Sequence, residues 1–347
     1  MNEQMQQLSS RTMRVLEAVI NGYLSTGDPV GSMTVVRNYN LKCSPATVRT
    51  EMARLGGMGY LTQTHVSSGR VPTSTGVRYY LDQIMHEEKL SLIDIEKLHS
   101  STLSLSEDYQ VMVRNTGRTL AEMTRQAGVI LMPGLRHLPM RRIEFTKLTS
   151  KRIVALLVSE GGRFFNRVFD WGEELEQQDL TWASNYLNEK FKGKTLAQIR
   201  KSVISELREE KARYDKMLAK ALGLMETVFQ QGQLDEEVFI EGRENLVEKP
   251  EFADSKKIIE LFKTFKEMNF IAELLSKALE ESKPVVLLSN ETGMQNIPEL
   301  AIIMARYGTS GPGGGTLGII GPMRMNYSRV IPIVRYAAEY VSDILNA

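Results

Sequence analysis

The sequence predicts an α+β multidomain protein that opens with a winged helix-turn-helix. Three observations lead there. The 347-residue length exceeds one typical domain. A helix, a glycine turn and a second helix run into a strongly marked third helix at Ser44–Leu55, with a hairpin pattern behind it. Further on, three strand-like segments between Arg142 and Phe169 give way to a long helical stretch, after which strand signals resume at Val238-Phe239-Ile240.

Ser9 or Ser10 caps a first helix whose Val15, Leu16, Val19, Ile20, Tyr23 and Leu24 form a broad apolar stripe ending near Ser25. Gly27-Asp28-Pro29 is turn chemistry. A short second helix runs from Ser32 to Tyr39 with Met33, Val36 and Tyr39 as its expected buried face. Ser44 then caps the third helix, and Pro45 suits its first position, where a missing N–H loses no intrahelical bond. Val48, Met52 and Leu55 recur at i, i+4 and i+7 on one apolar stripe. At about 100° per residue, Ala46, Arg49, Thr50 and Ala53 face the other way, flanked by Thr47 and Arg54. That outward face is small, polar and basic, which suits a helix reading base edges in a major groove. The same residues also fit an ordinary surface helix; their neighbours favour the first reading.

Gly56-Gly57-Met58-Gly59 stops the helix, Tyr60 to Gln63 has strand character, and His65 to Thr73 reads as the loop and return strand of a wing. Residues 30 to 80 hold six basic side chains, Arg37, Lys42, Arg49, Arg54, Arg70 and Arg78, against the one acid Glu51. The window therefore carries +5 and the rest of the chain −4, although the whole molecule nets only +1. Such concentration is the footprint of a phosphate-binding module.

The block from 29 to 81, with Pro29-Val30-Gly31-Ser32, Ser44-Pro45-Ala46-Thr47-Val48-Arg49, Ser68-Gly69-Arg70-Val71-Pro72-Thr73 and Arg78-Tyr79-Tyr80, resembles the heat-inducible transcription repressor family HrcA. The resemblance continues at Gly318-Ile319-Ile320-Gly321-Pro322, Met325-Asn326-Tyr327-Ser328 and Val330-Ile331-Pro332-Ile333-Val334, and so spans the chain. Thr50, Thr64 and Met323 depart from it, where the family often has Asn, Pro and a smaller polar residue. It implies a homodimer that represses chaperone genes from an inverted-repeat operator, CIRCE, and is kept active by the chaperonin. It also implies a GAF-like α/β domain interrupted by an inserted α+β dimerisation domain. The expected divisions are a winged helix over 1–90, a first GAF-like part over 91–142, the insert over 143–238, and a second GAF-like part over 239–347.

Within that frame a helix is expected from about Ser106 to Gln126 and a strand over Ala127–Met132. The insert should hold strands over 142–148, 152–159 and 163–169, then helices from Gln177 to Gln231 with Trp182, Tyr186, Leu187 and Phe191 on one stripe. After it come a helix from Ser255 to Leu279 carrying Ile258, Ile259, Leu261, Phe262 and Phe265, then strands over 284–288, 301–307 and 316–320, and a last helix from Met325 to Leu345.

The candidate DNA contacts are Thr47, Arg49 and Thr50 for bases, Ser44, Arg54 and Arg70 for phosphates, and His65, Ser67, Ser68 and Gly69 in the wing. Neither a cofactor nor a metal is expected. Gly308 to Thr316 lacks the lysine of a phosphate loop and precedes a strand. His65, His86, His99 and His137 show no metal-ligand spacing, and the lone Cys43 is expected to pack rather than react. Glu206, Glu209 and Glu210 sit among basic residues on a solvated helix, and no serine lies in a nucleophile elbow. A protein that is not an enzyme is the expectation; an enzyme using the glycine loop for nucleotide, and a regulator whose GAF-like domain senses a metabolite, are the rival readings. The N-terminus lacks the order of a secretory signal, and no apolar run nears the roughly 20 residues of a membrane span, so a cytoplasmic protein is expected.

Overall fold

A computed structural model describes residues 8–346 except 40–41, 64–67, 103–108, 135–137, 161–163, 209–215, 231–236, 253–262, 264–267, 293–299 and 309–313. The N-terminal unit comprises α1 (Ser10–Thr26), α2 (Ser32–Tyr39), α3 (Pro45–Gly57), β1 (Leu61–Thr62), β2 (Val71–Pro72) and α4 (Ser74–Gln83). Ser9 caps α1 by accepting from Thr12 N at 3.2 Å, and Gly27 stops it in a left-handed conformation with φ +80°. Val15, Leu16, Val19 and Ile20 of α1 meet Val48, Met52 and Leu55 of α3 and Tyr60 and Tyr79 in one core. The expected stripe of α2 needs correction. Ser32 and Val35 are buried, Val36 and Tyr39 pack at the core's edge, and Met33 stands 62% exposed. One residue of rotation separates Met33 from the inward line of Ser32, Val35 and Tyr39.

After α5 (Leu92–Thr102), α6 (Tyr109–Thr124) and β3 (Ala127–Met132), the chain leaves a central sheet to form a separate unit. That unit comprises β4 (Met140–Lys147), β5 (Arg152–Ser159), β6 (Phe164–Asp170), α7 (Gln177–Phe191), α8 (Leu196–Arg208) and α9 (Lys216–Gln230). Its three strands pair antiparallel in sequence order, and one face, with Ile143, Phe145, Ala155 and Leu157, packs on Leu187, Phe191, Leu222 and Phe229 of the helices. On α7 the buried line is Leu180, Ala183, Leu187 and Phe191. Trp182 lies beside it, 37% exposed and stacked on Tyr186 with ring centroids 5.4 Å apart, so the expected single stripe splits in two.

The chain returns as β7 (Glu237–Glu241), then α10 (Met268–Ser276), β8 (Val285–Leu288), β9 (Leu300–Tyr307), β10 (Gly315–Pro322) and α11 (Tyr327–Asn346). Ile258, Ile259, Leu261, Phe262 and Phe265 lie outside the described residues. The five strands are ordered β7-β3-β10-β9-β8, every pair antiparallel. Alternate residues serve opposite faces: Ile130, Ile303 and Ile319 join Val113, Leu120 and Ile333 on one side, while Val129, Ile302 and Ile320 join Ile271 and Leu275 on the other. Because β3 and β7 are neighbours, with Gly128 opposite Glu241, the separate unit leaves and re-enters through adjacent strands. Met140 packs in that unit's core and Val238 in the sheet's.

The winged unit is held to the sheet by α4. Val77 belongs to the sheet's core, Ser74 Oγ lies 3.3 Å from Ser289 Oγ, and Arg78 donates to Glu291 and to the carbonyl of Val286. Beneath the first turn, Arg324 pairs with Glu251 while its guanidinium lies against Gly27. The connector is stapled to α11 by a two-bond pair between Glu87 and Arg335 and by Glu88 N donating to Ser328 O at 2.9 Å.

Candidate nucleic-acid interface

The start of α3 is built by its sequence. Ser44 is extended, at φ −74° and ψ 154°, and its Oγ accepts from Thr47 N at 3.1 Å. The Ser44 and Thr47 hydroxyls are themselves 2.9 Å apart, and Thr50 Oγ1 donates to Ala46 O at 3.2 Å. The two threonines thus turn their hydroxyls toward the helix, a use that spacing alone does not reveal. Val48, Met52 and Leu55 are buried, while Ser44, Arg49, Thr50, Ala53 and Arg54 are exposed and Thr47 is half-buried.

Glu51, the acid of the basic window, points away from that face: Thr12 Oγ1 donates to its Oε2 at 3.0 Å. Arg78 is also withdrawn, into the junction with the sheet. Burial pulls its pKa down, but the hydrogen bond and charge of Glu291 outweigh that and leave it raised. The window's outward charge is therefore that of Arg37, Lys42, Arg49, Arg54 and Arg70, with neither Glu51 nor Arg78 contributing to the α3 face.

In the wing, Gln63 Nε2 donates to Ser68 O at 3.1 Å, and Val30 and Arg70 exchange two backbone hydrogen bonds of 2.9 Å. Val30 so forms an isolated antiparallel bridge at the foot of the β1–β2 hairpin. Gly69 is required by this approach, since a Cβ there would fall 2.4 Å from the Val30 carbonyl carbon. The Arg70 guanidinium lies over the C-terminal end of α3, where a Cβ on Gly56 would sit 3.6 Å from Nη1. His65 and Ser67 lie outside the described residues.

Between the start of α2, the outer face of α3 and the wing runs an open groove of about 520 Å³. It brings together Arg49, Ser68, Gly69 and Arg70, which the sequence marks, with Gly31, Ser32 and Met33, which it does not. Ser44, Thr47, Thr50 and Arg54 are not among its lining residues. Met33 escapes sequence reading because helical period assigns it to a core.

Elsewhere, Gly315 pairs with Tyr307, so the glycine-rich segment joins adjacent antiparallel strands. His99 stacks on Tyr340 at 4.2 Å and lies 2.8 Å from Tyr336 OH, and Cys43 packs at the edge of the winged unit's core. Among the described residues no group of His, Cys, Asp and Glu is arranged to hold a metal, and no helix is long and apolar enough to cross a membrane.

A family model described as HrcA protein C terminal domain matches residues 110–331. Relatives named heat-inducible transcription repressor HrcA include that of Syntrophobacter fumaroxidans, 38% identical over 342 residues and 98% of both chains, and that of Geobacter sulfurreducens, 38% identical over 341 residues. The latter match covers 98% of this chain and 99% of that one. A crystal structure described as a hypothetical protein shares the fold, with a TM-score of 0.64 at 20% identity over 98% of this chain and 99% of the other. With a basic helix, a wing and a groove on one face, and near-complete alignment to these relatives, the chain belongs to the heat-inducible transcription repressor family HrcA.

Proposed function

We propose that this protein is a sequence-specific transcriptional repressor of heat-shock (chaperone) genes, acting in the cytoplasm as a homodimer on an inverted-repeat CIRCE operator and kept active by the chaperonin. The observation that carries the DNA-binding reading is the groove itself, where Arg49 of α3 and Arg70 of the wing converge while Glu51 is tied to α1. Arg49, with Thr47 and Thr50, reads bases; Ser44, Arg54 and Arg70 hold phosphates; His65, Ser67, Ser68 and Gly69 carry the wing along the backbone.

One winged helix spans few base pairs, and discrimination against a genome of competing sites needs two related by a dyad. The unit inserted between β3 and β7 supports this role. Its sheet turns Val154, Leu156 and Val158 away from its own helices, with Val168 48% exposed on the neighbouring strand, an apolar surface suited to a second copy. The five-stranded domain, read as GAF-like, then sets the spacing of the two recognition helices.

The test is a gel-shift titration at fixed salt on an inverted-repeat chaperone-promoter fragment and on a scrambled one, with and without chaperonin. Preference for the inverted repeat by about a thousandfold supports specific repression. A gain on adding chaperonin places the control in folding competence, and equal binding to both fragments refutes the reading.

A further inference from the structure

The pleat at the edge of the central sheet sets up a site outside the winged unit. On β8 the carbonyl of Val286 accepts from Arg78 and Leu288 N donates to Glu291, so these residues face outward while Val285 and Leu287 face β9, opposite Met304 and Ile302. β9 runs on to Tyr307, past the start of β8. The same alternation turns the main-chain N–H and C=O of Arg306 and Gly308 into the space left there. Gly308 bears this out, its N–H donating to Ser342 Oγ of α11 at 2.9 Å. The main-chain N–H and C=O of Arg306 meet no partner among the described residues.

That space is a cleft of about 220 Å³, walled by the turn before β8, the end of β9 and one side of α11. Its charges are of both signs. Arg335, Glu339 and Asp343 stand at i, i+4 and i+8 in one row, about 12 Å long, on α11, with Glu281 and Lys283 on the turn. Among the described residues no two of these five form an ion pair with each other, and Arg335 alone is paired, with Glu87 of the connector.

We infer that this cleft seats a short zwitterionic peptide, three residues in extended form, added as a strand to the free end of β9. Its central residue exchanges N–H and C=O bonds with Arg306, its carboxylate goes to Arg335 and Lys283, and its ammonium goes to Glu339 and Asp343. Three extended residues span about 10 Å, which matches the row on α11. The seat lies in the five-stranded domain and stands apart from the repressor reading. Its consequence for DNA rests on that reading: a carboxylate beside Arg335 competes with Glu87, and releasing Glu87 frees the connector behind the winged unit.

Trialanine is titrated into the full-length protein by isothermal calorimetry, beside N-acetyl-trialanine, trialanine amide and Ala-Pro-Ala. Trialanine should bind at one site with a Kd no weaker than about 1 mM. Each blocked form should lose at least about fivefold, for want of one charge. Ala-Pro-Ala should lose at least about tenfold, because proline has no N–H for the Arg306 carbonyl. The double variant Glu339→Gln/Asp343→Asn should bind trialanine about fivefold more weakly with an unchanged melting temperature. By fluorescence anisotropy on the inverted-repeat fragment, saturating trialanine should lower operator affinity about threefold.

Titrations that stay flat up to about 10 mM trialanine overturn the seat, as do blocked and proline peptides that bind as well as trialanine. If the double variant melts lower, the peptide series alone decides. Trialanine that binds as described and leaves operator affinity unchanged refutes the coupling through Arg335 and upholds the seat. If wild-type protein binds no DNA, the repressor reading fails, and calorimetry still decides the seat.

Discussion

Arg78 of α4 and Glu291 of the helical turn after β8 form a two-pronged pair across the junction between the winged unit and the sheet. Arg78 Nε donates to Glu291 Oε1 at 3.0 Å and its Nη2 to both Glu291 Oε2 and Val286 O, while Leu288 N donates to that same Oε2 at 2.9 Å. The residues are 213 positions apart, and their side chains are 22% and 32% exposed. One planar guanidinium thus ties the helix behind the wing to the edge of the sheet.

Arg78→Ala should destabilise the junction by about 1.5–3 kcal/mol, because it strands the Glu291 carboxylate and the Val286 carbonyl. In calorimetry the winged unit should then melt earlier than the rest. On DNA the effect should fall on geometry: affinity for the full inverted repeat drops about tenfold while affinity for a single half-site stays as in wild type, since loosened modules lose effective concentration. An equal loss on both fragments would show that Arg78 acts on the module itself.

Arg49→Ala should weaken operator binding by about 1–3 kcal/mol and relax the preference among base pairs at one position of each half-site. Arg49 is exposed on α3 and lines the groove, so the folded state should barely notice its loss. Titrations against a panel of operator point variants give the answer, and uniform weakening across the panel, random DNA included, would assign Arg49 to a phosphate instead.

Gly69→Ala places a methyl 2.4 Å from the Val30 carbonyl carbon and 2.5 Å from its oxygen. Backbone must move, at a cost of about 1–3 kcal/mol, and the Val30–Arg70 pairing is what gives way. Amide exchange at Val30 and Arg70 should accelerate in this variant while Tyr79 and Leu16 stay protected. Retained protection at both would mean the wing tolerates the shift.

Asp94 should make stability fall in acid. Burial alone would raise its pKa, but hydrogen bonds from Ser91 and the charge and hydrogen bond of Arg329 outweigh it, leaving the carboxyl below its ordinary 3.8. A carboxyl lowered in the folded state stabilises above its unfolded pKa and loses that contribution as pH falls through its folded one. The difference in unfolding free energy between wild type and Asp94→Asn should therefore hold steady from neutral pH down to about 5 and shrink below 3.8. A difference unchanged at pH 3 would refute the assignment.

Much of this molecule is legible in its residues alone. The Val48, Met52 and Leu55 stripe, the Ser44 cap and the glycine stop declare α3 with its inward and outward sides, while alternation declares β4 to β6 and apolar runs declare β3, β9 and β10, all to within about two residues. Period and capping are local properties, decided within a turn or a pleat. The direction of Met33 and the withdrawal of Glu51 and Arg78 are not local. Each depends on a partner remote in the chain: the Val30–Arg70 bridge beside Met33, Thr12 for Glu51, Glu291 for Arg78. The groove is of the same kind, for its walls come from α2, α3 and the wing. Apolar spacing tells a helix which side to hide; which polar group meets which, across tens or hundreds of residues, is decided only when the cores close and desolvation forces each buried charge and N–H to find its complement.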